Sequence, residues 1–341
     1  MRSSATAPRR TRRRRALGLL SGLLVAAVGC AGGEATSATE ASAASTTGST
    51  GDASTDDATT TTTTGTQSDT DVETTGDAGA ADGEPCAVHV DCASRLCLEF
   101  RDHDPSATCA PAPEGGSTRF TGTILDITAG AELVGAELRV LDALTALQNP
   151  AGAPVLLSAT SDAQGRVDAT SEERIPVGVG LVGLVVGEGL TPTTGAISDP
   201  LANGAFGPGN TYHDLWAAPS EALAAWEAML AADPEVAPHL PLASGGAALG
   251  LVRRAATGAP QAGATLVSEE AASAALVRYL NEGRDAFDGE ATASHGLFVV
   301  VHAGLAEGFA VEVAGEVVEG VRVEARSAPG SVGAMLVALP E

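Results

Sequence analysis

From about residue 118 to the C-terminus, apolar and polar positions alternate in short runs broken by glycine-rich turns. Ile124, Leu138 and Val140 lie in such runs, as do the stretches Val177 to Val186, Gly296 to Ala303 and Phe309 to Val313. Period-two alternation over four to eight residues marks half-buried strands, and many short strands with glycine turns between them predict antiparallel sandwiches. One segment departs from that period. Pro219 and Ser220 open a stretch running to about Ala232 in which Leu223, Trp226, Met229 and Leu230 share one helical face. Ser220 is expected as its N-cap, and Asp233-Pro234 ends it. An apolar face of this kind predicts packing against a neighbouring domain.

The strand region carries an internal repeat. Residues 121–140 (TGTILDITAGAELVGAELRV) align without gaps to 249–268 (LGLVRRAATGAPQAGATLVS) at an offset of 128. The alignment pairs Gly122 with Gly250, Ile124 with Val252, Gly130 with Gly258, Gly135 with Gly263, Ala136 with Ala264 and Leu138 with Leu266. Gly165 matches Gly296 at an offset of 131. Each copy reads as strand, turn, strand, with Ala129-Gly130 and Thr257-Gly258 as the turns, where glycine tolerates positive φ. The pattern around Thr257-Gly258-Ala259-Pro260 and Gly263-Ala264 resembles the carboxypeptidase regulatory-like domains, prealbumin-type seven-stranded sandwiches. The first copy departs from it at Ala129 and Ala131. The resemblance implies a β-sandwich accessory domain and no activity of its own.

Upstream the pattern is different. Residues 1–15 hold seven arginines, and Ala16 to Val28 form a thirteen-residue apolar stretch, the layout of a secretory signal. Thirteen residues make about 20 Å of helix, short of the ~30 Å hydrocarbon core, so the stretch predicts a cleaved signal and not a permanent span. It ends in Ala27-Val28-Gly29-Cys30, which resembles a bacterial lipobox with Ala27 where leucine is usual. That resemblance implies that Cys30 is lipidated and becomes the new N-terminus. Two or three palmitate-type acyl chains, at about 0.8 kcal/mol per buried methylene, give a durable anchor. Arg14-Arg15 leaves twin-arginine export open beside the general route. The alternative at Cys30, an ordinary signal with a thiol left over, leaves one of five cysteines unpaired in an oxidising compartment.

From Ala31 to Glu84 the chain is Ala, Thr, Ser, Gly, Asp and Glu with almost nothing apolar and large, and Thr59 to Thr64 is unbroken. This composition predicts disorder, because it cannot bury enough surface to offset the entropy of ordering. As a flexible tether it averages about 40 Å end to end and reaches roughly 180 Å. Cys86, Cys92, Cys97 and Cys109 follow within twenty-four residues. So short a segment lacks a core, and in an exported chain two disulfides of about 2 to 3 kcal/mol each are the expected staples. Zinc is disfavoured, since no C-x₂-C pair is present. Three connectivities are possible and the sequence leaves them open; Cys86 with Cys97 and Cys92 with Cys109 is the one taken forward. The stretch Asp91-Cys92-x-Ser94-x-x-Cys97 resembles short cysteine modules of myxobacterial surface proteins.

The resulting expectation is a mainly β protein. Its order is signal peptide 1–29, lipidated tether 30–84, disulfide module 85–112, first sandwich 118–204, helical bridge 205–245 and second sandwich 246–341.

Charge and side-chain chemistry narrow the function. The chain has no lysine. Beyond residue 29, twelve arginines stand against 43 carboxylates, a net charge of −31. Such a surface repels phosphate backbones, so nucleic acid is not an expected partner. None of His89, His103, His213, His239, His295 and His302 belongs to an H-E-x-x-H motif; no G-x-S-x-G elbow or phosphate-binding loop occurs, and no cysteine remains as a nucleophile. Asp285, Asp288 and Glu290 cluster around Gly289 but miss the calcium-loop spacing, and Glu172-Glu173 and Glu269-Glu270 are adjacent pairs that point apart. No metal, cofactor or catalytic residue is expected.

The expected function is therefore a non-enzymatic surface lipoprotein, held to the cell envelope and sorted to the outer membrane given Ala31 after the cysteine, with a structural or adhesive role towards envelope protein or glycan. Two other readings are a carbohydrate- or peptide-binding platform of Trp216, Tyr212 and Tyr279, and a hydrolase without a recognisable motif. Cys30→Ser should abolish metabolic acyl labelling and release the protein from membranes in a fractionation assay; unchanged membrane association in that variant refutes the anchor.

Overall fold

A computed structural model of the chain describes residues 79–199, 207–269, 276–302, 307–328 and 330–340. The signal, Cys30, residues 31–78 of the tether and Glu270 lie outside the described residues. Ordered structure begins earlier than the tether boundary at 84. The Ala80 N–H donates to the Asp91 carbonyl, the Ala93 N–H to Ala80, the Gly83 N–H to Cys109 and the Cys109 N–H to Glu84. These backbone bonds fold Gly79 to Glu84 into the disulfide module. The module holds the two-stranded pair β1 (Cys97–Leu98) and β2 (Thr108–Cys109). Disulfides Cys86–Cys97 and Cys92–Cys109 staple it, the connectivity taken forward above. Their sulfurs and Ala107 are its small core.

Beyond it the chain is mainly β. The first copy runs β3 (Arg119–Asp126), β4 (Glu137–Asp142), α1 (Ala143–Gln148), β5 (Val155–Thr160), β6 (Arg166–Thr170), β7 (Leu181–Val186), β8 (Leu190–Thr191), β9 (Thr193–Ser198) and β10 (Asp214–Pro219). Then come α2 (Ser220–Leu230) and α3 (Leu242–Gly245). The second copy runs β11 (Ala247–Arg254), β12 (Ala264–Ser268), β13 (Leu276–Tyr279), β14 (Leu297–Val301), β15 (Glu307–Val313), β16 (Glu316–Ala325) and β17 (Val332–Leu339).

The two copies share one topology. In the first, β6-β3-β10 faces β4-β7-β9; in the second, β14-β11-β17 faces β12-β15-β16. Both close with a parallel pair, β3 with β10 and β11 with β17, where antiparallel pairing was expected throughout. The last strand of each copy returns beside the first in the same direction, which a long connection permits and a hairpin does not. For the same reason the first sandwich does not stop at 204: β10, inside the segment read as a helical bridge, completes it.

The repeat persists hydrogen bond by hydrogen bond. Leu133 N–H donates to Ile124 and Gln261 N–H to Val252; Gly130 N–H donates to Asp126 and Gly258 N–H to Arg254; Ile124 N–H donates to Gly165 and Val252 N–H to Gly296. Gly130 and Gly258 have φ of 71° and 67°, and Gly165 and Gly296 have 72° and 71°, the left-handed region where a Cβ is costly. Ser161 and Thr292, 131 residues apart, each accept at the side-chain oxygen from the backbone N–H of Ala136 and Ala264 respectively. Each hydroxyl donates in turn, to Leu133 and to Gln261.

Three apolar cores result. Phe120, Ile124, Leu138, Val140, Val185, Ile197 and Leu215 fill the first sandwich. Val252, Phe298, Val300, Phe309, Val311 and Val337 fill the second. The third lies between the copies, where Leu249, Leu251, Val299 and Val301 meet Leu223, Trp226 and Leu230 of α2 and Ile127 and Ala218 of the first copy. Strand β14 is thus buried on both faces, which explains its unbroken apolar run LFVVV. Helix α2 packs as its apolar face predicts, but Ser220 is not its cap: Pro219 holds that position, and the Ser220 hydroxyl meets Thr191 Oγ1 at 3.2 Å.

The copies also share a sheet. Strand β17 pairs in parallel with β9 through Val332–Thr193 and Gly333–Thr194. This joins four strands of each copy into one eight-stranded sheet, β13-β14-β11-β17-β9-β7-β4-β5.

Gly250 lies opposite Phe298 across the β11–β14 pair, and a Cβ there would fall 1.9 Å from the ring's Cζ. The fully buried ring has no room to retreat. Gly250→Ala should cost about 1–3 kcal/mol through overpacking, read as a lower denaturant midpoint at unchanged slope.

Candidate functional site

The disulfide module is tied to the first sandwich by an unusually complete set of polar contacts. Thr121 and Thr123 of β3 donate through their hydroxyls to the carbonyls of Glu99 and Phe100, at 2.6 and 2.7 Å. Their side chains therefore supply donors to two carbonyls just beyond the end of β1. His89 takes an amide proton at Nδ1 from Cys97 at 3.0 Å and faces the Asn210 carbonyl with Nε2 at 2.8 Å. That arrangement suits a neutral ring protonated on Nε2, and burial holds the His89 pKa below its ordinary value, against a rise from the Asn210 contact. His213 Nε2 lies 3.1 Å from Glu99 Oε1, and its Nδ1 lies 2.9 Å from the Thr121 carbonyl. Asn210 reaches Thr121 with both ends of its amide.

At the centre is a buried ionic joint in which all three modules meet. Arg253, on β11 of the second sandwich, is 5% exposed. Its Nη1 donates to Asp214 Oδ2 at 2.8 Å and its Nη2 to Asp102 Oδ2 at 2.5 Å. Asp214 begins β10 of the first sandwich, and Asp102 belongs to the disulfide module. Asp102 Oδ1 also accepts from the backbone N–H of His213 at 2.6 Å, and Asp214 Oδ1 accepts from Arg101 Nε at 2.7 Å. One guanidinium thus holds two carboxylates from two other modules, with backbone donors completing their shells. Burial alone would raise the Asp102 pKa; the Arg253 hydrogen bond, the His213 N–H and the charges of Arg253 and His213 outweigh it and hold it below the usual value.

The residues singled out from sequence scatter. Tyr279 is 7% exposed in the second sandwich, and its oxygen accepts from Leu266 N–H at 2.6 Å. Trp216 is partly buried against the core between the copies. Tyr212 donates to Asp199 at 2.9 Å, and burial with that carboxylate pushes its pKa up to about 12. The three rings do not form an exposed platform, because strand alternation sends Tyr279 and Trp216 into different cores. Tyr212 and Trp216 instead line an apolar cleft of about 260 Å³ with Gly195, Ala334 and Met335, beside the β9–β17 seam. Asp285 and Asp288 both accept from Asn281 Nδ2, closing a turn. Glu269 accepts from Arg322 Nε. The one grouping of metal-type ligands among the described residues is Cys86, Cys92 and Cys109, whose sulfurs are in disulfides.

The joint itself escaped sequence reading. Its signal is faint: Asp102 directly follows Arg101 and Asp214 directly follows His213, and Arg253 stands where the first copy has the buried Leu125. No spacing rule connects residues 102, 214 and 253.

No family model matches the chain, and no curated protein matches it. Among solved structures, the shaft pilin SpaA of Lactobacillus rhamnosus GG, as a double mutant, aligns at 10% identity over 65% of this chain and 98% of the pilin, with a TM-score of 0.20. The Bacillus anthracis TIE protein aligns at 11% identity over 66% of this chain and 34% of its own, TM-score 0.19. A minor pilin of Streptococcus agalactiae aligns at 13% over 66% and 96%, TM-score 0.18. The architecture therefore rests on this chain's own sheets.

Two predictions follow from the joint. Arg253→Met leaves two carboxylates buried without their cation and should cost about 3–5 kcal/mol in chemical denaturation. Because the folded Asp102 pKa lies below its ordinary 3.8, its contribution is present above that value and lost as pH falls through the folded value. Asp102→Asn should therefore start less stable at neutral pH and lose less on acidification, seen as a flatter plot of urea midpoint against pH below about pH 4.

Proposed function

We propose that the chain is an exported, lipid-anchored surface protein with a structural or adhesive role and no catalysis. The observation that carries this reading is the joint: Arg253, Asp102 and Asp214 fasten a disulfide module and two sandwiches into one body, as a protein that transmits force or holds a spacing requires. Among the described residues no helix is long and apolar enough to cross a membrane. Attachment falls to Cys30, and the tether sets the body's distance from the bilayer.

Contact with envelope components is assigned to an exposed strand edge. In the first copy the outer edge of β9 is occupied by β17. Among the described residues its counterpart in the second copy, β16, is paired only with β15. This ten-residue strand, EVVEGVRVEA, is mostly exposed, and Val317 is 57% exposed. An open edge of this length is a template for a strand from another chain. A glycan platform is disfavoured by the burial of Tyr279 and the separation of the three rings.

The test is photo-crosslinking on intact cells expressing the full chain, with the crosslinker at Val317 and, as control, at exposed Leu144. Expected are discrete adducts from Val317 that Val318→Pro, which removes a backbone N–H from β16, abolishes while leaving the fold intact by circular dichroism. Turnover on a broad hydrolase panel, or equal adducts from both positions, overturns the reading.

A further inference from the structure

A strand at the end of a sheet turns a row of N–H and C=O groups outward, and proteins guard such rows with charge, cover or bulges. Among the described strands longer than two residues, β5, β6, β12, β13 and β16 end a sheet. Strand β16 carries Glu316, Glu319, Arg322 and Glu324, so pairing with its own copy sets a net negative strand against itself. On β6, Arg166 lies over the Phe100 ring and Asp168 is held by Arg119. On β12 the Ala264 and Leu266 N–H groups donate to the side-chain oxygens of Thr292 and Tyr279, at 2.9 and 2.6 Å. Strand β13 carries Arg278, and its Tyr279 carbonyl accepts from Gly289 N–H. Strand β5, with the sequence VLLSAT, has no charged residue and, among the described residues, no strand partner beyond β4. Val155 is 49% exposed and Leu156 37%.

The direction of the β5 backbone follows from the residue just past its end. Ser161 donates its N–H to the Ala136 carbonyl at 2.8 Å and accepts at its own carbonyl from Gly135 N–H at 3.1 Å, so both groups turn toward the β4 side. Successive residues of an antiparallel strand turn to opposite sides, so the backbone groups of Ala159 and Leu157 also face β4, while those of Thr160 and Ser158 face the open side. The side chains of Leu157 and Ala159 pack, partly buried, against the core of the first sandwich, and Ser158 and Thr160 are exposed. Strand β4 leaves Leu156 without a partner, where the register shifts between Leu157 and Val155. That bulge ends the regular ladder on one side.

We infer that β5 pairs with β5 of a second copy of this chain, antiparallel about a two-fold axis at Ser158. A two-fold contact needs a surface complementary to itself, and this register supplies one. Ser158 faces Ser158 of the second copy and exchanges both backbone bonds with it, Leu157 lies against Ala159, and Leu156 against Thr160. A large apolar side chain thus meets a small one twice, and the apolar row of one sandwich continues into the next. Centring on Leu157 instead sets Pro154, which has no N–H, against Thr160, and centring on Ala159 sets the Asp162 carboxylate against Leu156. Charge selects the occupant. Beyond the signal twelve arginines stand against 43 carboxylates, so two copies repel across most of their surface, and an uncharged edge lets them meet without desolvating a carboxylate. A pairing this short buries less than the ~1,200 Å² of a standard interface, so it is weak and reversible.

The test is sedimentation velocity on the full chain carrying Cys30→Ser, which leaves no lipid to bring copies together, over about 1–300 µM. Expected is a monomer–dimer equilibrium with a dissociation constant on the order of 100 µM, tightening as salt rises from about 0.05 to about 0.5 M because like-charge repulsion is screened. Ser158→Lys, at an exposed position, sets two cations against each other on the axis and should weaken the dimer at least about tenfold at an unchanged urea midpoint. In the same background Ser158→Cys places two thiols on residues whose Cα atoms lie about 5.5 Å apart in such a pair, within disulfide reach. Mild oxidation should then give a covalent dimer, whereas Val179→Cys, at an exposed position between β6 and β7, should give none. A monomer at every concentration and salt, a dimer that Ser158→Lys leaves intact, or equal crosslinking from both thiol variants overturns the assignment.

Discussion

A guanidinium taken out of water must recover its hydration energy from what surrounds it, and Arg253 recovers it from two carboxylates that belong to other parts of the chain. Asp102 arrives on the disulfide module and Asp214 on the first sandwich. Neither carboxylate is tolerable at that depth alone, and neither is the arginine. Assembly of the three modules is thereby coupled: the desolvation cost is met only when all three groups are present. A buried ion pair of this kind adds little to stability relative to an apolar replacement, but it discriminates strongly against arrangements that separate its members. Its hydrogen bonds are directional, so the orientation of β10 and β11 at this point is set along with their proximity.

Strand β10 is where that constraint meets hydrophobic packing. Leu215 and Ala217 face the core of the first sandwich, while Ala218 and Trp216 face the core between the copies. A strand serving two cores cannot slip by one residue without exchanging every inward side chain, so Asp214 is delivered to Arg253 in a single register. The β9–β17 seam adds a second restraint on the same pair of domains. The duplication that produced two similar sandwiches therefore did not produce two independent ones. Edge pairing at β9 uses up one site of each copy and leaves β16, the equivalent edge of the second copy, open.

The sequence disclosed the repeat because glycine is conspicuous wherever the backbone needs positive φ, and Gly130, Gly258, Gly165 and Gly296 occupy such positions in matched turns. It disclosed the disulfide module because four cysteines in so short a segment have few other uses. The helix was legible from Leu223, Trp226 and Leu230. Strands β10 and β17 were harder to read, since DLWAAP and VGAMLVAL are almost wholly apolar and lack the apolar–polar alternation that marks a half-buried strand. Strand β16 alternates only over Val321 to Ala325 and lies beyond the region where the repeat was aligned. The joint was illegible for a different reason. Its members are 112 and 39 residues apart, each an ordinary charged residue locally, and only the topology brings them together.

The arginines explain how so acidic a protein can carry a donor-rich interior. Among the described residues Arg101, Arg119, Arg139, Arg253, Arg278, Arg322 and Arg326 are all in ion pairs. Positive charge is thus spent locally, and the large carboxylate excess is left to the solvent-facing surface and the tether. At long range the protein repels anions, and at physiological ionic strength that repulsion is damped beyond about 8 Å. Within the joint the fixed charges dominate instead, because Arg253 meets Asp102 and Asp214 at hydrogen-bond distance in a poorly screened environment. The joint is therefore held by local pairing that salt barely weakens, while the carboxylate excess around it is the part of the electrostatics that ionic strength can change.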